Sequence, residues 1–151
     1  MSTEPDKTSQ SRREQFHAFR SRLNCRILGD DAARGTRMDG SVPMGATLVT
    51  KRFFALDTKT YEPGALDAKM KELLGLVASM VLRCDDCIAY HIDQCITHGA
   101  TDEELFETFD IALIVGGSIV IPHLRRAVDF LDACRDDPAN GSAPTCVRSH
   151  E

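Results

Sequence analysis

Between Thr108 and Leu124 the chain is apolar almost all the way round a helical projection, and no other stretch so limits the folds open to it. A helix without a polar face has to be covered on every side. A domain with about 90 core residues has little mass to spare for that. The run therefore predicts a homo-oligomer, with the central helix of a monomeric bundle as the alternative. The rest of the core also reads as helical. After Pro63-Gly64, Ala65 to Leu82 places Leu66, Met70, Leu73, Leu74, Val77 and Val81 at helical spacing. A second helix is expected from Asp85 to Thr97, with Gly99 where a C-terminal cap belongs. Thr101-Asp102-Glu103-Glu104 has the form of a capping box and opens a third helix that runs to the region of Val115. Gly116-Gly117 kinks or ends it. A last helix, Ser118 to Cys134, tolerates Pro122 in its first turn. The fold class expected is all-α.

Upstream the signals are weaker. Residues 1–13 are rich in polar side chains and read as a disordered tail. From Glu14 to Leu28, Phe16, Phe19, Leu23 and Ile27 recur loosely and suit one short helix. Gly29 to Gly45 holds four glycines and a proline and reads as irregular. Thr47 to Leu56 carries Val49, Phe53 and Phe54 and resembles a strand, but no partner strand follows, so an extended packing arm is expected. The organisation predicted is a mostly irregular extension over 1–45, a helical domain over 46–134 and a flexible tail over 135–151.

With 151 residues, one domain is the expectation; 42% hydrophobic content supports a core. The net charge of -5, without a basic stripe, argues against nucleic acid as the main partner. The polar stretch Met1 to Arg13 has no apolar h-region, and no apolar run approaches the roughly 20 residues of a membrane span. No membrane partner is expected, and the cytoplasm is the expected compartment. Six cysteines there are more often redox-active or metal-binding than disulfide scaffolding.

Three of the chemistry-bearing residues fall in one short run, Cys84-Asp85-Asp86-Cys87-Ile88-Ala89-Tyr90-His91. At about 100° per residue, positions 84, 87 and 91 lie within roughly 60° of one another. Cys84 falls at a helix start, where unpaired N–H groups and the helix dipole favour a thiolate. Asp85 and Asp86 suit a first helical turn but repel a thiolate. The run supports a redox dithiol with an imidazole as proton acceptor, or a zinc site lacking its fourth ligand, or cysteines packed as small apolar residues. Cys95, His98 and His123 give no familiar finger spacing.

Glu72 lies twelve residues before Cys84. On one straight helix it would be about 18 Å away. A chain reversal near Leu82-Arg83 would let it face His91 or the thiols, where a carboxylate orients an imidazole. On its own, within Lys69-Met70-Lys71-Glu72, it reads as solvated. Elsewhere, His98 reads as a helix C-terminal cap, Cys95 as a buried spectator and Tyr90 as packing. His123 suits a core or interface role, and Arg125-Arg126 a solvated pair. Cys25, Cys134 and Cys146 are assigned no role.

The pattern Gly64-Ala65-Leu66-Asp67, Lys71-Glu72-Leu73, Cys84-Asp85-Asp86-Cys87 with His91, and Gly99-Ala100-Thr101 before Glu103-Glu104 closely resembles the carboxymuconolactone decarboxylase family. The alkylhydroperoxidase D-like branch is the nearest likeness, over about Phe53 to Leu131. The resemblance implies an alkylhydroperoxidase D-like helical bundle forming a homo-oligomer, often a trimer or hexamer. It also implies peroxide reduction through a dithiol/disulfide cycle. By analogy Cys87 is the peroxidatic nucleophile, Cys84 the resolving thiol, and Glu72 with His91 the proton relay. A small hydroperoxide is then the substrate and an external dithiol the reductant, with no cofactor or metal. The best-known peroxidase of the branch has histidine where this chain has Asp86, and an acid there raises a thiol's pKa. The other readings are a decarboxylase or lactone-processing lyase using Glu72 and His91, and a metal-binding interaction module.

Overall fold

A computed structural model describes residues 10–137. Within them the chain forms seven α-helices and no strand. Helix α1 spans Arg12–Leu28, α2 Asp31–Arg34, α3 Leu48–Thr60, α4 Ala68–Val81, α5 Asp85–Thr97 and α6 Asp102–Gly116; a 3-10 turn at Ser118–Val120 leads into α7, Ile121–Arg135. The all-α expectation holds. Cys146 and most of the expected C-terminal tail lie outside the described residues.

Local chemistry sets most helix starts. Ser11 and Glu14 form a reciprocal capping box on α1, and Thr101 and Glu104 form the one expected on α6. Asp67 Oδ1 accepts from the Met70 N–H at 2.7 Å to open α4. Pro122 sits in the first turn of α7. The core is built where α4 packs on α5 and α6 and where α5 packs on α7. Leu76 and Met80 of α4, Ile88 and Ile92 of α5, Leu105 and Phe109 of α6, and Phe130 and Leu131 of α7 belong to one buried cluster. Each such side chain contributes about 1.5–3 kcal/mol on full burial. The Lys69–Glu104 pair, 2.6 Å, ties α4 to α6, and Arg135 donates to both Ala100 O and Asp102.

Two expectations are corrected. Thr47 to Leu56 is not an extended arm but the N-cap and first turns of α3; the Thr47 hydroxyl accepts from the Thr50 N–H at 3.3 Å. Its β-branched and aromatic residues carry only a weak strand preference, which good helix formers around them override. Arg12 and Arg13 belong to α1 and not to a tail: Arg13 is buried and donates to Asp93 Oδ1 at 2.7 Å. The Thr108 to Leu124 run is not sealed within its own chain, which goes against the alternative of a central helix in a monomeric bundle. Leu105, Thr108, Phe109 and Ala112 of α6 face inward, but Ile114 and Val115 are 87% and 65% exposed, and Ile111 and Ile119 are exposed too.

Candidate active site

The reversal between α4 and α5 builds the site. Leu82 ends α4; the Arg83 N–H donates to Met80 O and the Cys84 N–H to Ser79 O, both at 3.0 Å. This is the pattern of a Schellman turn, with Arg83 at the left-handed position usually filled by glycine (φ 61°). The same pattern closes α5, where Gly99 and Ala100 donate to Ile96 O and Cys95 O. Cys84 also opens α5, its Sγ accepting from the Cys87 N–H at 3.4 Å. One residue thus finishes one helix and starts the next.

The turn lays α5 back along α4 and sets Glu72 against His91, on the helix that begins with Cys84 and Cys87. Cys84 and Cys87 are half-buried and joined in a disulfide, with Cα atoms 5.2 Å apart. His91, four residues past Cys87 and so on the same face of α5, places Nδ1 2.7 Å from Glu72 Oε2. Glu72 is 2% exposed and His91 7%, so Glu72 is not the solvated residue its charged neighbours suggest. With the Nδ1–H donated to the carboxylate, the other ring nitrogen is left as the proton acceptor.

Sequence reasoning missed the groups that hold the imidazole. A Cβ on Gly75 would stand 2.5 Å from His91 Cε1 and 2.8 Å from the Tyr61 hydroxyl oxygen. Only a glycine lets the ring lie against the α4 backbone, and a lone glycine inside an apolar helix was the visible signal. Tyr61 and Tyr90 flank the ring, each centroid 5.3 Å away. Burial, then the charge of Glu72, raises the Tyr61 hydroxyl above its ordinary range and pushes Tyr90 up to about 12.

The two aspartates between the cysteines are both paired. Asp86 Oδ2 accepts from Arg20 Nη1 at 2.7 Å, and Asp85 meets His123 Nδ1 at 2.7 Å and Arg126 Nε at 2.9 Å. Partial burial pushes the Asp85 carboxyl up, but hydrogen bonds from His123 and Arg126 outweigh this and hold it below its ordinary value. His123 therefore belongs to the dithiol helix start, and Arg126 is not simply solvated. Tyr90 packs under the Arg20 guanidinium, 4.4 Å from its ring centroid. Cys95 is sealed in the core as expected, and so is Cys134. Burial pushes both thiols up to about 12. His98 is the exposed C-cap of α5. Among the described residues, no three His, Cys, Asp or Glu side chains are grouped to hold a metal ion.

Comparison with known proteins identifies the family. The model of the carboxymuconolactone decarboxylase family matches residues 48–130. Two crystal structures of a family member from Thermotoga maritima, for which a part in antioxidative response has been suggested, superpose with TM-scores of 0.66 and 0.68. They are 56% identical and cover 80% of this chain and 90% and 93% of theirs. A family protein from Legionella pneumophila, 30% identical, gives 0.53 over 56% of this chain and 75% of its own. An uncharacterized protein of Cupriavidus necator is 33% identical over 48% of this chain, which spans 64% of that relative's length. The chain belongs to the carboxymuconolactone decarboxylase family.

Proposed function

We propose that this protein is a thiol-dependent oxidoreductase that reduces small hydroperoxides through Cys84 and Cys87. The observation that carries the reading is a disulfide at the start of the helix on which, one turn past Cys87, an imidazole is held by a buried carboxylate. The antioxidative part suggested for the Thermotoga relative supports it. In the reduced protein, His91 takes the Cys87 proton, and Glu72 stabilises the imidazolium that results. The thiolate attacks the terminal oxygen of the hydroperoxide; the O–O bond breaks, and the alkoxide takes a proton to leave as alcohol. Cys87 is left as a sulfenic acid. Cys84 condenses with it, releasing water and forming the disulfide. An external dithiol returns two electrons and two protons and leaves oxidised. The compartment proposed is the cytoplasm, where such reductants are kept.

The apolar side chains left on the surface of α6 and the turn after it, Ile111, Ile114, Val115 and Ile119, support assembly of the chain into a trimer or hexamer. The test of the chemistry is a thiol count on reduced protein before and after one equivalent of peroxide. Two thiols should be lost, and the loss should require both cysteines. Cys87→Ser should abolish turnover, while Cys84→Ser should leave a trappable sulfenic acid. Cys84 and Cys87 still titratable after peroxide would sink the proposal. The Glu72–His91 pair also suits a decarboxylase or lactone-processing lyase, and that reading requires activity to persist when both cysteines are serine.

A further inference from the structure

Helix α1 lies outside residues 48–130, yet it reaches the dithiol. Two arginines seven residues apart on α1, Arg13 and Arg20, meet two aspartates seven residues apart on α5, Asp93 and Asp86, in reverse order. Seven residues are close to two helical turns, so each set forms one stripe. The two helices are therefore clasped antiparallel by paired charges. The first clasp is deep: Asp93 is fully buried, with His17 Nε2 also 3.1 Å from its carboxylate. Phe16, between the arginines on the same stripe, packs edge-on against Phe130 of α7 at 5.2 Å. These contacts fix where Arg20 arrives, at the first turn of α5 between the two sulfurs in sequence.

We propose that Arg20 is a positioning residue for the dithiol: by holding the Asp86 carboxylate, it keeps the start of α5 from repelling a cysteine thiolate. The inference rests on the dithiol reading above. The groups facing that turn are few. From α5 come Asp85, Asp86 and His91; from α7, His123 and Arg126 on Asp85; from α4, Glu72 acting through His91; from α1, Arg20. Arg83 directly precedes Cys84. Asp85 is answered from α7, inside the family region, while Asp86 is answered by Arg20. An arginine supplied from α1 thus offsets the acid that directly precedes Cys87. Its contact with Tyr90, which flanks His91, also places the guanidinium beside the relay.

The test reads thiol acidity, not turnover with peroxide, so it can fail or succeed independently of the peroxidase proposal. Fully reduced full-length protein is alkylated with iodoacetamide across a pH series, and mass spectrometry follows Cys84 and Cys87. R20Q is expected to raise the alkylation midpoint of the more acidic thiol by about half a pH unit, the scale of a solvent-screened neighbouring charge. R20K keeps the charge and should stay near the native midpoint. D86N should lower the midpoint, and R20Q/D86N should return it towards the native value. An R20Q profile superimposed on the native one overturns the inference. So does an R20Q/D86N profile equal to that of R20Q, because charge is then not the agent. Should R20Q melt early, D86N alone still decides: an unmoved midpoint overturns the proposal.

Discussion

The imidazole of His91 occupies the space that any side chain at position 75 would need. Gly75→Ala gains helix propensity of up to about 1 kcal/mol but must push the ring off α4. The melting temperature should therefore stay within a few degrees, about 2–4 °C per kcal/mol for a chain of this size. Peroxide turnover should fall about tenfold or more, since small displacements of a catalytic group are costly. Native turnover in Gly75→Ala would refute this packing account. Arg83 makes the opposite case. Held at φ 61°, it bears a left-handed backbone that glycine adopts freely. Arg83→Gly should raise stability by about 1 kcal/mol, read from the midpoint of urea unfolding. At this scale a motif made Cys84, Cys87 and His91 legible, whereas Glu72, which on its own read as solvated, was picked out only by the family resemblance. Tyr61 and Arg20 were not legible, because each matters only through a contact made across helices. Arg20 did leave a trace, a spacing of seven matched by the two aspartates on α5.

Helix α1 is held by charge more than by an apolar face. The apolar contact of Phe16 with Phe130 of α7 is flanked by the buried Arg13–Asp93 pair. Removing one partner of such a pair strands the other. Arg13→Ala should cost about 3–5 kcal/mol and lower the melting temperature by on the order of 10 °C, as differential scanning calorimetry would show. A loss near zero would mean that water or His17 suffices for Asp93. Helices α4 to α7 were legible because each has a start signal and an apolar period. Helix α3 was misread because its apolar residues, Leu48, Val49, Phe53 and Leu56, are mostly exposed in the single chain and suit either period over so short a stretch. Nothing in composition alone marked Arg13 as an interior residue, since arginine is rarely buried without a partner far along the chain.

For the molecule as a whole, two buried thiols and a half-buried tyrosine bear on its tolerance of alkali. Cys95 and Cys134 are pushed up from an ordinary 9.0 to about 12, and Tyr90 from 10.0 to about 12. Each folded value lies above the unfolded one, so this part of the stability is present in full below pH 9.0 and lost as the pH climbs towards 12. Circular dichroism along an alkaline titration should show unfolding in that window, with a shallower limb for Cys95→Ala. A limb unchanged by that substitution would show that the thiol does not govern it. The all-helical plan was legible from the whole sequence, and so was an apolar run too large for one chain to cover; which side of α6 stays exposed was not, because periodicity says that a face is apolar and not what covers it. The two arms of the fold that carry the chemistry meet at Cys84, which ends one lever and begins the other. Replacing it therefore risks confusing a broken hinge with a missing sulfur. Serine, a preferred first residue for a helix, spares the joint; alanine forfeits the cap, worth about 1 kcal/mol, so that only the serine form isolates the loss of the atom that reacts.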